Sequence, residues 1–149
     1  MDLKLIWHKP IKLKESKANL IYELDLDRVP SKPGVYIFMR SFGRKRSALY
    51  IGKASKLKSR IKGQRNNLKL MKGIQRAAIG RRVLVVGEFM PKPGQNADKC
   101  LPLIEQALIR HFLSEGHDLL NIAGTHLATH SINSEKVTGH FIPNKIYFE

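Results

Sequence analysis

Cysteine is almost absent from this 149-residue chain: Cys100 stands alone. No disulfide can form within it, so the fold has to rest on an apolar core, which a chain of this length can build as one domain. No apolar run approaches the roughly 18 residues that cross a bilayer, so no membrane association is expected. Residues 1–7 have neither a long apolar stretch nor a small-residue cleavage site, so no signal peptide is expected and the chain reads as a soluble cytoplasmic protein. There is no internal repeat and no low-complexity tract.

The most telling absence is of acid. Between Asp27 and Glu88 there is no Asp or Glu, while the same stretch carries 17 Lys and Arg. Over the whole chain 27 basic residues face 12 acidic ones, for a net charge of +15. Surfaces built only for solubility mix their signs. A long single-sign segment suits a phosphate polyanion, and nucleic acid is the usual one.

What is present reads as a small α/β domain. Residues 1–33 form a leader with a weak strand signal at Leu3, Leu5 and Trp7, and a short helix or strand at 20–26. Val35 to Met39 and Ala48 to Gly52 are β-forming runs, joined by a basic, glycine-containing loop over 41–47, which makes an antiparallel hairpin. Ser55 is placed to cap a helix carrying Leu57 and Ile61. A second helix is expected over 68–79, ended by Gly80, then a buried strand at Val83 to Val86 and a loop over 91–98. The clearest helix covers 101–115, with Pro102 in its first turn and Gly116 after its end. The order β-β-α-α-β-α predicts a three-stranded sheet with helices. Residues 122–149 form a C-terminal extension, with a strand expected inside 141–148.

One residue violates the pattern. In the helix over 101–115, Leu101, Ile104, Leu108 and Phe112 form an apolar face, and Glu105 falls inside it. A carboxylate aimed at a core has to be protonated, paired or bound to a cation. A structural pair with Arg60 and a metal ligand in a cleft both satisfy that requirement. The basic surroundings favour a place where a divalent cation bridges carboxylate and phosphate oxygens.

Gly34-Val35-Tyr36, then Tyr50-Ile51-Gly52-Lys53, then Leu57-Lys58-Ser59-Arg60, then Glu105 within a helix, then Leu119-Leu120-Asn121, form a series that resembles the GIY-YIG nuclease family. Residues 50–57 also resemble the nuclease domain of bacterial excision-repair enzymes. The resemblance covers residues 34–121 of the single domain 1–149. It implies an α/β (α+β) fold with a central three-stranded antiparallel sheet, and an endonuclease that hydrolyses DNA with Mg²⁺ or Mn²⁺. Carried over by motif, it makes Glu105 the metal ligand and Arg60 the phosphate and transition-state contact. Tyr36 becomes the base or relay for the attacking water, helped by Lys53 depressing a neighbouring tyrosine. Tyr50 orients water or phosphate, Asn121 braces the site, and Gly34 and Gly52 are structural. Some members carry a histidine one helical turn after the arginine, and here that position is Gln64, which shifts weight to Tyr36 and Lys53.

Arg44, Lys45 and Arg46 in the hairpin loop, with Lys53, Lys56, Lys58, Arg60 and Lys62, are the expected nucleic-acid contacts. DNA is the expected partner, with RNA open. Repair, restriction and mobile-element roles fit equally, and the oligomeric state is not readable. The competing readings are a nucleic-acid-binding module without catalysis, and a ribonuclease or nuclease toxin. His117, His126, His130 and His140 lack paired cysteines, so no structural zinc is expected.

Overall fold

The computed structural model describes residues 1–16, 20–123, 130–133 and 145–148, those beyond Asn121 as backbone only. The chain begins with β1 (Lys4–Trp7), β2 (Ile11–Lys12), the short pair β3 (Lys14–Glu15) and β4 (Tyr22–Glu23), and a 3₁₀ turn at Leu26–Arg28. The hairpin β5 (Gly34–Phe42) and β6 (Lys45–Ala54) leads into α1 (Leu57–Arg65) and α2 (Leu68–Arg76). Then come β7 (Arg81–Met90), the long α3 (Ala97–Ser114), the short α4 (Leu120–Ala123), and a pair β8 (His130–Asn133) and β9 (Lys145–Phe148).

β7, β5 and β6 form the expected antiparallel centre, and β1 and β2 both pair with the outer side of β7, so the sheet has five strands. The strand signal at Leu3, Leu5 and Trp7 is realised as β1, and the N-terminal segment is built into the sheet rather than leading up to it. β6 is left as an edge.

The fold has three layers. On one face of the sheet Tyr36, Phe38, Leu84 and Val86 pack with Leu57 and Ile61 of α1 and Leu70, Met71 and Ile74 of α2. On the other face Val35 and Phe89 pack with Leu101 and Ile104 of α3, and Ile37 and Ile51 meet its later turns. This division follows from the strand period of two, which sends odd and even residues of β5 to opposite layers.

Several boundaries differ from expectation for identifiable reasons. The hairpin loop is not 41–47 but Gly43 and Arg44, because Arg40, Ser41 and Phe42 stay paired with β6 and β7; Gly43 supplies the positive φ of 59° that so tight a turn requires. Leu49 has no partner in the register between β5 and β6, a β-bulge that puts Leu49 and Tyr50 against the same core. Ser55 is not the cap of α1. Lys56 holds that position with no side-chain hydrogen bond. α2 is capped by Asn67 and ends at Arg76, where Arg82 donates to the carbonyls of Ile74, Gln75, Ala77, Ala78 and Gly80. α3 starts at Ala97, four residues before the expected start, because Asn96 caps it by accepting from the Asp98 N–H. Pro102 therefore lies inside the helix, where it deprives the Asp98 carbonyl of an intrahelical donor.

Candidate functional site

The C-terminal end of the edge strand β6 collects the residues singled out in sequence. β5 supplies Tyr36 opposite Gly52 of β6, α1 supplies Arg60, and α3 supplies Glu105. Tyr50 and Tyr36 are neighbours, with ring centroids 6.3 Å apart. Lys53 pairs with Val35, so its side chain projects to the α3 face of the sheet, whereas Tyr36 and Gly52 belong to the α1 face.

The Tyr36 ring is buried and crosses β6 directly over Gly52. A Cβ on Gly52 would overlap the ring and its hydroxyl, so only glycine fits beneath it. Gly34 is equally constrained, since a Cβ there would collide with the Gly87 carbonyl. At the far end of Tyr36 the hydroxyl oxygen accepts a 2.8 Å hydrogen bond from Gln64 Nε2. Burial pushes this hydroxyl up to about 12, against the opposing pull of Gln64 and Arg60. The expected depression of its pKa by Lys53 is thereby corrected. Lys53 is on the other face of the sheet, and desolvation dominates, so the Tyr36 hydroxyl is raised rather than lowered.

Glu105 is half-buried on the inner face of α3, between the buried Leu101 and Ile104 and the partly buried Leu108. Burial pushes its carboxyl above the ordinary carboxylate value, while Lys53 and Arg60 and a backbone hydrogen bond from Lys53 pull the other way. Among the described residues it makes no ion pair; the two that occur are His8–Glu88 and Lys92–Asp2. The Glu105–Arg60 structural pair is therefore not formed. Arg60 is exposed.

Arg60, with Ala54 and Ser55, lies between two concavities. One, of about 500 Å³, runs over α1 and is lined by Lys56, Ser59, Arg60, Gly63, Gln64 and Asn67. The other, about 160 Å³, lies toward α3 and is lined by Lys53, Ser55, Arg60, Asp98 and Pro102. Asp98 was not singled out in sequence, because the loop expected over 91–98 includes it; within α3 it stands two turns before Glu105, at the i, i+7 spacing that shares a helix face. Among the described residues no three His, Cys, Asp or Glu gather as a preformed metal cluster. A lone carboxylate still suits Mg²⁺, which keeps several waters and commonly uses one or two carboxylates plus substrate phosphate.

Asn121 braces the edge. Its Oδ1 accepts from the Ile51 N–H at 2.9 Å and its Nδ2 donates to the Ile51 carbonyl at 2.6 Å. The open side of β6 is thus closed by one amide that imitates a neighbouring strand. His117 does the same three residues along, its Nδ1 accepting from the Ala48 N–H at 2.8 Å. That bond requires the neutral ring, and burial holds the His117 pKa below the ordinary value. His130 lies on β8, known here as backbone, and His126 and His140 fall outside the described residues.

The basic residues divide. Lys56 and Lys62 are exposed and Lys58 half-exposed on α1, around the larger concavity. Arg44, Lys45 and Arg46 are exposed at the other end of β6, and seven residues from Arg46 to Lys53 span about 23 Å of strand. They stand too far from Arg60 to meet the same phosphate group. Arg40 donates to the Ile79 carbonyl and Ser47, so it serves the fold.

No family model, no curated protein and no solved structure matches this chain.

Proposed function

We propose that the protein is a divalent-metal-dependent endonuclease acting on DNA. The observation that carries this reading is Glu105: a half-buried carboxylate on an apolar helix face, left without an ion pair beside Lys53 and Arg60. A group so placed costs stability, and a cation bridging it to a bound phosphate removes that cost. The motif series from Gly34 to Asn121 and its resemblance to GIY-YIG nucleases support the same assignment. So does the basic stretch 28–87, in which neither ion pair of the described residues lies.

In this reading Glu105 holds Mg²⁺ or Mn²⁺. The bound cation supplies Lewis-acid stabilisation of charge developing on the phosphate. Arg60, exposed between the two concavities, binds the phosphate and strengthens its hold as that charge grows. Lys53 adds positive potential from the α3 side. Tyr36, neutral, serves as a hydrogen-bond donor rather than a base, and Tyr50 packs beside it to keep that end of the site dry. Asn121 and His117 keep β6, and with it Tyr50 and Lys53, in place. Repair, restriction and mobile-element biology all use such an activity.

The test is nicking of supercoiled plasmid with and without Mn²⁺ or Mg²⁺, beside Arg60→Ala and with an RNA substrate in parallel. Metal-dependent nicking lost in the variant supports the endonuclease. Binding without cleavage in every metal supports a nucleic-acid-binding module, and cleavage of RNA alone supports a ribonuclease.

A further inference from the structure

The nuclease reading leaves the attacking water in need of a base. Tyr36 is a fully buried core side chain and lines neither concavity beside Arg60. The larger concavity offers Lys56, Ser59, Arg60, Gln64 and Asn67. Its cations can only donate, and hydroxyls and amides take up no proton at neutral pH. The smaller concavity differs in one residue, because Asp98 is the one carboxylate that lines it. Asp98 is exposed, so water and substrate can reach it. It enters neither ion pair of the described residues, although Lys53 of β6 and Arg60 of α1 are the charged groups that face the same space.

Three successive turns of α3 meet the end of β6: Asp98, then Leu101 and Pro102, then Glu105. Seven residues separate the two carboxylates, about 10.5 Å along the helix axis. Both side chains lean toward the N-terminus, so the separation is kept. Oxygens that share one Mg²⁺ lie within about 4 Å of each other, so Asp98 is not a second ligand beside Glu105. Arg60 lines the Asp98 concavity and acts electrostatically on Glu105 as well. A carboxylate in a space that faces phosphate weakens binding, so affinity for the substrate does not account for it. Its place in the first turn of α3 favours the helix dipole, a role that touches stability alone.

We propose that Asp98 is the general base, taking a proton from the water that attacks the phosphate held by Arg60. This rests on the nuclease reading above. As the water oxygen bonds to phosphorus, one of its protons passes to the Asp98 carboxylate. The bond from phosphorus to the leaving sugar oxygen breaks, and that oxygen takes a proton from solvent water. Asp98 then returns its proton to solvent.

The decisive variant is Asp98→Asn, which keeps the size of the side chain and the Asn96 cap but cannot take the proton. The single-turnover nicking rate in saturating Mn²⁺ is expected to fall about 10²-fold or more, with KM unchanged. Asp98→Glu, which restores a carboxylate, should recover part of the rate. Asp98→Ala opens the concavity to a small carboxylate, so added formate should speed nicking by this variant and not by the wild type. A role confined to the helix dipole moves Tm and leaves the rate and the formate response untouched. Binding of Mn²⁺ alone, read by electron paramagnetic resonance, should be the same in wild type and Asp98→Asn. A wild-type protein that nicks nothing overturns the nuclease reading and the base with it. Wild-type nicking with an undiminished rate in Asp98→Asn, no formate response in Asp98→Ala, or Mn²⁺ binding lost in Asp98→Asn overturns the role of Asp98 alone.

Discussion

Replacing Asn121 by alanine should loosen the edge on which the site is built. The side chain makes two hydrogen bonds to Ile51, one to its N–H and one to its carbonyl. Each contributes about 1 kcal/mol net, and both backbone groups face outward on an edge strand where water can replace part of the loss. The total is therefore about 2 kcal/mol. For a chain of this size 1 kcal/mol moves Tm by roughly 3–4 °C, so the variant should melt about 7 °C lower. The same 2 kcal/mol should speed exchange of the Ile51 amide proton about 30-fold, at a factor of 10 per 1.4 kcal/mol. Differential scanning fluorimetry and amide hydrogen exchange read the two quantities on one preparation. Asn121→Asp adds a discriminating arm, because a carboxylate accepts from the Ile51 N–H but repels its carbonyl; it should be at least as damaging as alanine. An unchanged Tm together with wild-type exchange at Ile51 would refute the bracing role and leave the conformation of β6 to be explained by hairpin pairing alone.

Gly52→Ala drives a methyl into the Tyr36 ring and should cost about 1–3 kcal/mol by chemical denaturation; in a double-mutant cycle Tyr36→Leu should relieve much of it, and strict additivity would contradict the contact. His117 binds a proton less readily in the fold than in the unfolded chain, so its contribution to stability is present above about pH 6.5 and is lost as pH falls below that value. His117→Gln, which keeps an acceptor for the Ala48 N–H, should flatten the fall in Tm between pH 7.5 and pH 5, and an unchanged slope would remove His117 from that role. Gly63 lies inside α1, lines the larger concavity and has nothing within 4 Å of an added Cβ. Gly63→Ala should therefore raise Tm by about 3 °C through helix propensity while lowering nicking; equal nicking would show that no substrate approaches the helix there.

The parts of this molecule that were legible in sequence are those governed by local periodicity. The placement of Glu105 on the inner face of α3 could be read from a helical wheel. So could the hairpin that sets Tyr36 beside Tyr50, since alternation and a glycine turn are short-range signals. Boundaries decided by side-chain caps were not legible in the same way. Asn67 and Asn96 look like ordinary loop residues, and Pro102 pointed to a helix start that Asn96 in fact sets four residues earlier. The N-terminal strands depend on pairing with a strand some eighty residues away, which no local pattern announces. The error over Tyr36 had an available signal. Lys53 follows Gly52 by one residue, and strand alternation alone sends it to the opposite face. What alternation could not supply was the burial that raises the Tyr36 pKa or the Gln64 amide that donates to its hydroxyl.

Glu105→Gln is the most direct test of the central claim. Because burial raises the Glu105 carboxyl in the fold, its contribution to stability is lost as pH rises through that folded value, so the glutamine variant should be the more stable protein at pH 7, with the difference closing below about pH 4.5. The measurement is the rate of supercoiled-plasmid nicking in Mn²⁺ by wild type and variant, each shown folded by its melting curve. The account predicts metal-dependent nicking by the wild type and a loss of about 10²-fold or more in a variant that melts no lower. Nicking by Glu105→Gln at the wild-type rate, with the same metal dependence, would contradict it.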